Sequence, residues 1–233
     1  MGRKSSVHGF ARQAAEGLTA PAIALESTDM LAGFRMVPGY LDRPGQEALL
    51  SALRAVVARA PFYTPRMPKT GKPMSVRMSN CGPLGWVTDE RGYRYQPTHP
   101  ETDEPWPPIP EILVKAWEEL GGYPHPADSC LINYYGTAAK MGLHQDRDEQ
   151  DFAAPVVSFS LGDTALFRIG GTNRGGPTRS LRLASGDAVV LSGESRLAFH
   201  GVDRITAGTS RLLSEGGRIN FTLRRVTRPM PSS

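Results

Sequence analysis

Only five histidines occur in the 233 residues, and two of them, His144 and His200, fall in the half of the chain with the most strand character. His144-Gln145-Asp146 sets an imidazole and a carboxylate two residues apart. On an extended backbone such positions point to the same side. His200 follows 54 residues after Asp146, at the end of an apolar stretch, Leu197 to His200, that reads as a strand. Two imidazoles and one carboxylate suit a redox-active ferrous ion, because they occupy one face and leave positions open for substrate and dioxygen. Zinc accepts the same set. A His-x-Asp pair is also a common surface hydrogen-bonding pair, so the spacing alone leaves all three readings open.

A second pattern lies near the C-terminus. Arg218-Ile219-Asn220-Phe221-Thr222-Leu223-Arg224 alternates polar and apolar residues with a period of two. Arg218, Asn220, Thr222 and Arg224 share one face of this strand, and Ile219, Phe221 and Leu223 share the other. In a plain sandwich the polar face is solvated. If it lines a barrel interior instead, two arginines need anions there, and a dicarboxylate would match their forked donors. Leu131 to Tyr135 alternates similarly and sets Asn133 and Tyr135 on one face, where they could hydrogen-bond the same carboxylates.

The elements that must position these residues are legible in outline. Asp42-Arg43-Pro44 opens a helix with Asp42 as N-cap, and Leu49, Leu50, Leu53, Val56, Val57 and Ala60 form its apolar face until Pro61 stops it. A second helix spans Pro110 to Leu120 and ends at Gly121-Gly122. Between them, residues 62–108 are rich in Pro, Gly, Met, Tyr and Arg, with strand-like pieces at Met74 to Met78 and Gly92 to Tyr95. Arg66, Lys69, Lys72 and Arg77 make a basic run without an acid, which reads either as a phosphate-binding segment or as a solvated loop. From residue 128 onward short strands alternate with Gly-rich turns: Leu131 to Tyr135, Val156 to Leu161, Ala165 to Ile169, Ser180 to Leu183, Ala188 to Leu191, Leu197 to His200 and Arg218 to Val226. That texture predicts a sandwich, jelly roll or barrel.

Composition sets the outer bounds. At 39% hydrophobic and 21% charged, the chain has the material for a core and is not disordered throughout. Its 25 glycines and 20 prolines argue against a helical bundle. The net charge of +4 is compatible with a polyanionic partner without requiring one. No run approaches the ~18 apolar residues of a membrane span. The two cysteines, Cys81 and Cys130, make no disulfide framework and read as small buried residues. The expectation is a cytoplasmic protein without a membrane association.

Together, Asn133-Tyr134-Tyr135, His144-Gln145-Asp146-Arg147-Asp148, Gly193-Glu194-Ser195-Arg196, His200-Gly201 and Arg218 to Arg224 resemble the AlkB family in order, spacing and context. Asn80 to Trp86 and Glu104-Pro105-Trp106-Pro107 resemble the lid region of that family. The resemblance covers roughly residues 62–226. It implies a mainly β fold with flanking helices: a double-stranded β-helix, or jelly roll, preceded by a nucleotide-recognition lid. With the elements read from the residues, the chain divides into an irregular arm over 1–33, which has no match in the family, a supporting helix region over 34–61, a lid over 62–108, a second supporting helix over 109–126, a catalytic core over 127–226 and a tail over 227–233.

The implied activity is Fe(II)- and 2-oxoglutarate-dependent oxidative demethylation of bases such as 1-methyladenine and 3-methylcytosine, which reverses alkylation damage with release of formaldehyde and succinate. By resemblance, His144, Asp146 and His200 bind iron. Arg218 pairs with the distal carboxylate of 2-oxoglutarate, Arg224 and Asn133 lie near its other end, and Tyr135 and Asn220 add hydrogen bonds. Trp86 stacks on the flipped base opposite His144, Tyr93 contacts the substrate backbone, Asp148 addresses the base edge and Arg174 meets substrate at the rim. The implied partner is alkylated DNA, single- or double-stranded, or RNA, with the protein acting as a monomer. Two positions depart from the family pattern: Leu191 stands where an aromatic is expected, and Phe199 where a tyrosine is expected. The alternatives are an oxygenase of the same chemistry acting on protein or small molecules, and a non-catalytic nucleic-acid-binding relative.

Overall fold

The structure is a computed structural model that describes residues 31–229. All but the end of the expected N-terminal arm and most of the expected tail therefore lie outside the described residues. In chain order the elements are β1 (Phe34–Val37), α1 (Arg43–Arg59), β2 (Arg77–Cys81), β3 (Gly85–Asp89), β4 (Gly92–Gln96), α2 (Glu111–Gly121), β5 (Ser129–Tyr135) and β6 (Met141–His144). They continue with β7 (Val156–Gly162), β8 (Thr164–Gly170), β9 (Thr178–Leu183), β10 (Ala188–Leu191), a 3-10 turn (Gly193–Leu197), β11 (His200–Thr206) and β12 (Arg218–Arg224).

Among the described residues, twelve strands form three antiparallel sheets. The large one runs β1-β10-β7-β12-β5-β2, and the smaller one β6-β11-β8-β9. They face each other as the two walls of a jelly roll, and β3-β4 stands apart as a hairpin. Burial explains why the large sheet is flanked by helices. Its outer face carries Ile132, Phe159, Leu161, Ile219, Phe221 and Leu223, which need cover. The apolar stripes of α1 (Leu49, Leu53, Val56) and α2 (Leu113, Ala116, Trp117, Leu120) supply it. Asp42 caps α1, its carboxylate accepting the Gly45 N–H at 2.8 Å, and Gly122 ends α2 in the left-handed region at φ 59°.

The inner face of the same sheet looks onto a cavity of about 730 Å3. Arg218, Asn220, Thr222 and Arg224 all line it, so the polar face of β12 is interior and not solvated.

Three local expectations are corrected. The strand predicted at Met74 to Met78 forms at Arg77–Cys81, the stretch that finds a ladder partner in β5. No strand runs from Leu197 to His200. Ser192 and Ser195 form a reciprocal capping box that winds Gly193–Leu197 into a 3-10 turn, and His200 starts β11 instead of ending a strand. Likewise β6 stops at His144, so the extended ladder does not reach Asp146. The short strands β1, β3 and β6 were not anticipated; four or five residues carry too little alternation to register.

Candidate metal centre and cosubstrate cavity

His144 ends β6 and His200 begins β11, and the antiparallel register sets them opposite one another. Their ring centroids lie 4.6 Å apart. Gly201 permits this: a Cβ there would fall 2.6 Å from the Met141 carbonyl oxygen, so any larger residue would push β6 away. The pairing is also irregular immediately after His200, the kind of local bulge that re-aims a side chain.

Each imidazole is oriented by its own backbone. His144 Nδ1 lies 2.9 Å from the Gly142 carbonyl oxygen and His200 Nδ1 lies 3.0 Å from that of Ala198. A carbonyl only accepts, so both Nδ1 atoms carry the proton and both Nε2 atoms present lone pairs. Those Nε2 atoms each sit 3.8 Å from an Asp146 carboxylate oxygen. Among the described residues, these three side chains bring their ligand atoms within 4.8 Å of one another. Burial, with His144 beside it, pushes the His200 imidazole down to about 4, which keeps it neutral at neutral pH. Burial opposes the charge on Asp146, but Arg224 and the two histidines outweigh it and hold the carboxyl well below the usual range.

Asp146 is placed by long-range bonds. Arg196 Nη1 donates to its carbonyl at 2.7 Å, and Arg224 Nη2 donates to Oδ1 at 2.9 Å. Next to it, Gln145 Nε2 donates to the Leu197 carbonyl at 2.6 Å. Asp146 Oδ2 is buried without a hydrogen-bond partner. Two imidazole nitrogens and one carboxylate converging in this way, with a buried carboxylate oxygen that no hydrogen bond satisfies, fit iron(II).

The cosubstrate residues show the same incompleteness. Arg218 is 2% exposed, and its Nη2 donates to Ser160 at 2.9 Å while Nε and Nη1 have no partner. Its guanidinium lies 5.3 Å from the Tyr135 ring centroid, and burial lowers its affinity for a proton. A buried guanidinium with orphan donors calls for an anionic acceptor, such as a carboxylate. Asn133 Oδ1 is likewise buried and unpartnered. Asn220, in contrast, is already engaged: its Nδ2 donates to the Phe159 carbonyl at 3.0 Å and its Oδ1 accepts from Thr222 at 2.9 Å. Arg224 pairs with Asp146 and Glu149, yet its Nε and Nη1 are also buried without a hydrogen-bond partner, so it too keeps donors for a carboxylate.

At the open end, Trp86 and Tyr93 project from the hairpin and stack on each other, with ring centroids 5.5 Å apart and planes within 18°. Trp86 Nε1 donates to Asp148 at 2.8 Å. Arg174 lies 5.3 Å from the Phe199 ring, on the same rim. All four residues line the cavity that holds the histidines. Arg77 does not. It packs over Phe62 and Tyr134 on the outer face of the large sheet. Arg66, Lys69 and Lys72 are exposed. Cys81 and Cys130 are buried partners across β2 and β5.

Sequence reasoning missed Tyr95, Glu149 and Arg196, which form a buried polar cluster beside Asp146. The acid-rich run from Asp146 to Asp151 was a visible signal, but nothing in it told Glu149, buried, from Asp148, exposed.

Residues 33–224 match the family model of the 2OG-Fe(II) oxygenase superfamily. The chain is 56% identical over 212 residues to the alpha-ketoglutarate-dependent dioxygenase AlkB homolog of Caulobacter vibrioides, covering 88% of this chain and 96% of that one. It is 44% identical over 184 residues to the alpha-ketoglutarate-dependent dioxygenase AlkB of Escherichia coli, covering 77% and 84% respectively. The solved structure of OsALKBH1 aligns with a TM-score of 0.69 at 32% identity, over 83% of this chain and 96% of that one.

Proposed function

The chain belongs to the AlkB family of 2OG-Fe(II) oxygenases, and from that premise we propose that it removes N-alkyl groups from nucleic-acid bases, reversing alkylation damage. It is an Fe(II)- and 2-oxoglutarate-dependent dioxygenase. The overall reaction takes a methylated base, 2-oxoglutarate and dioxygen to the free base, formaldehyde, succinate and carbon dioxide. Dioxygen is the oxidant, and iron with the cosubstrate, when bound, would supply the chemistry that activates it, which no side chain here has.

The observation that carries this reading is the pairing of two unfinished sites in one cavity: the His144-Asp146-His200 cluster and the orphan donors of Arg218. In it, His144, Asp146 and His200 hold the metal. Arg218 takes the distal carboxylate of 2-oxoglutarate, with the Tyr135 hydroxyl beside it. Asn133 offers its free amide edge near the other end. Asn220 keeps Thr222 in place, and Arg224 steadies Asp146. The apolar lining from Leu131, Val156, Phe167, Leu183, Val189, Leu191 and Val202 keeps water from the reacting atoms.

Residues 62–108 form the recognition lid and residues 127–226 the catalytic core of this proposal. A base must leave the helix stack, or be met in a single strand, before it enters such a cavity. Trp86 offers it an aromatic face, and Asp148 suits the cationic ring of 1-methyladenine or 3-methylcytosine. Tyr93 and Arg174 are placed for the flanking strand. DNA is the polymer favoured here, with RNA a second candidate, and the protein acts as a cytoplasmic monomer. Among the described residues no helix is long and apolar enough to cross a membrane.

Mass spectrometry of a single-stranded oligonucleotide carrying one 3-methylcytosine tests this. Incubation with protein, iron(II), 2-oxoglutarate and oxygen should remove the mass of one methylene, and His144→Ala should remove none. Iron-dependent succinate release with the base untouched would move the substrate elsewhere. Absence of both products would overturn the enzyme reading.

A further inference from the structure

Four charged side chains are shut together beside the metal-facing carboxylate: Asp146, Glu149, Arg196 and Arg224. Two acids balance two bases, and Glu149 joins them. Arg196 Nη2 donates to Glu149 Oε2 at 3.1 Å, and Arg224 Nε lies 3.5 Å from Oε1. The same two arginines hold Asp146, one at its carbonyl and the other at its carboxylate. Glu149 thus fixes both of the groups that fix Asp146. Its third partner comes from outside the core: Tyr95, on strand β4 of the hairpin, donates its hydroxyl to Oε1 at 2.5 Å.

The neighbouring residue repeats the pattern one step further out. Asp148 accepts from Trp86 of strand β3 at 2.8 Å. The hairpin is therefore fastened to the loop after Asp146 at two adjacent acids. The outer bond is exposed and shares its residues with base recognition. The inner one leads, through Glu149 and the two arginines, to Asp146.

We propose that Glu149 is a positioning residue that couples the β3–β4 hairpin to the carboxylate of Asp146, so that metal loading and hairpin closure favour each other. The proposal rests on the metal-centre reading given above. Binding free energies are reciprocal: if a closed hairpin steadies Asp146 for the metal, a bound metal must steady the hairpin by the same factor.

The test measures both directions without any nucleic acid. Co(II) serves as the probe, titrated by absorbance into the full chain and into Glu149→Gln and Tyr95→Phe. Hydrogen exchange over residues 85–96 is then compared with and without Co(II) and 2-oxoglutarate. In the wild type, loading should slow hairpin exchange by about 5-fold or more. Glu149→Gln leaves one guanidinium uncompensated against Asp146 and should weaken Co(II) binding about 10- to 100-fold. Tyr95→Phe keeps the charge cluster whole, so it should still bind Co(II) while its hairpin no longer responds to loading. A folded Glu149→Gln with unchanged Co(II) affinity, or a wild-type hairpin indifferent to loading, would overturn the proposal. Should Glu149→Gln fail to fold, a hairpin response retained in Tyr95→Phe would overturn it as well. A wild type that binds no Co(II) would overturn the metal reading too, whereas inactivity on the methylated oligonucleotide would touch only the choice of substrate.

Discussion

The floor of the cavity and the hairpin over its mouth are built on opposite terms. The floor is β12, paired along its whole length on both sides, with every residue buried. Its polar side chains stand in a fixed array because Ile219, Phe221 and Leu223 are locked between the sheet and the helices. The hairpin has two strands, and Tyr93 at its edge is 50% exposed. Its bonds to Asp148 and Glu149 add to an anchorage at its base, where Asn80 bonds the Trp86 backbone in both directions, Trp106 donates to the Gln96 carbonyl and Val87 is buried. The contrast suits a chemistry that needs a rigid metal and cosubstrate site and a mouth that admits a base on a long polymer.

Variants of the floor should hit cosubstrate binding hardest. Arg218→Met removes a buried guanidinium with two orphan donors and leaves hydrocarbon of similar reach. Loss of two charge-assisted hydrogen bonds should weaken 2-oxoglutarate binding by about 100-fold or more, read by titration. The ligand-free protein should melt no earlier than the wild type, because an incompletely paired buried charge costs stability. A lowered melting temperature with unchanged 2-oxoglutarate affinity would break the assignment.

Variants of the hairpin should spare the floor. Trp86→Ala should weaken oligonucleotide binding by about 5- to 150-fold, the worth of one base–aromatic stack. Its 2-oxoglutarate affinity should stay at the wild-type value. If both affinities fall together, the two regions are not separable.

The smallest effect is expected at Arg77, one strand away but on the far face. Arg77→Ala should leave the salt dependence of oligonucleotide binding unchanged, since its guanidinium packs over Phe62 and Tyr134 and does not line the cavity. It should cost about 0.5–1 kcal/mol of stability from its lost aromatic contacts. A flatter salt slope would show that nucleic acid wraps past the mouth to the outer sheet face.

Much of the floor was legible beforehand. The strict alternation from Arg218 to Arg224 names the face on which each side chain lies, and the observed strand keeps it. Asp42 and Gly122 end their helices where capping chemistry says they should. The stretch around His200 was misread because Leu197-Ala198-Phe199 is apolar enough for a strand, whereas two serine side chains upstream satisfy the backbone of a tight turn first. The basic run carries no sign of direction: Arg77 and Met78 are neighbours in sequence, yet the pleat sends one outward and the other into the cavity.

What the sequence determined by itself was local: the ligand types, the spacing of His144 and Asp146, the two-sided β12 and the caps. It also carried the family, because those motifs keep their order. Which polar face would be interior was decided only when α1 and α2 covered the other one. The placement of Asp146 was decided later still, by Arg196 and Arg224, which stand 50 and 78 residues away in the chain. Alternation assigns a residue to a side, but a buried charge is tolerable only where distant partners meet it, and that meeting exists only in the folded chain.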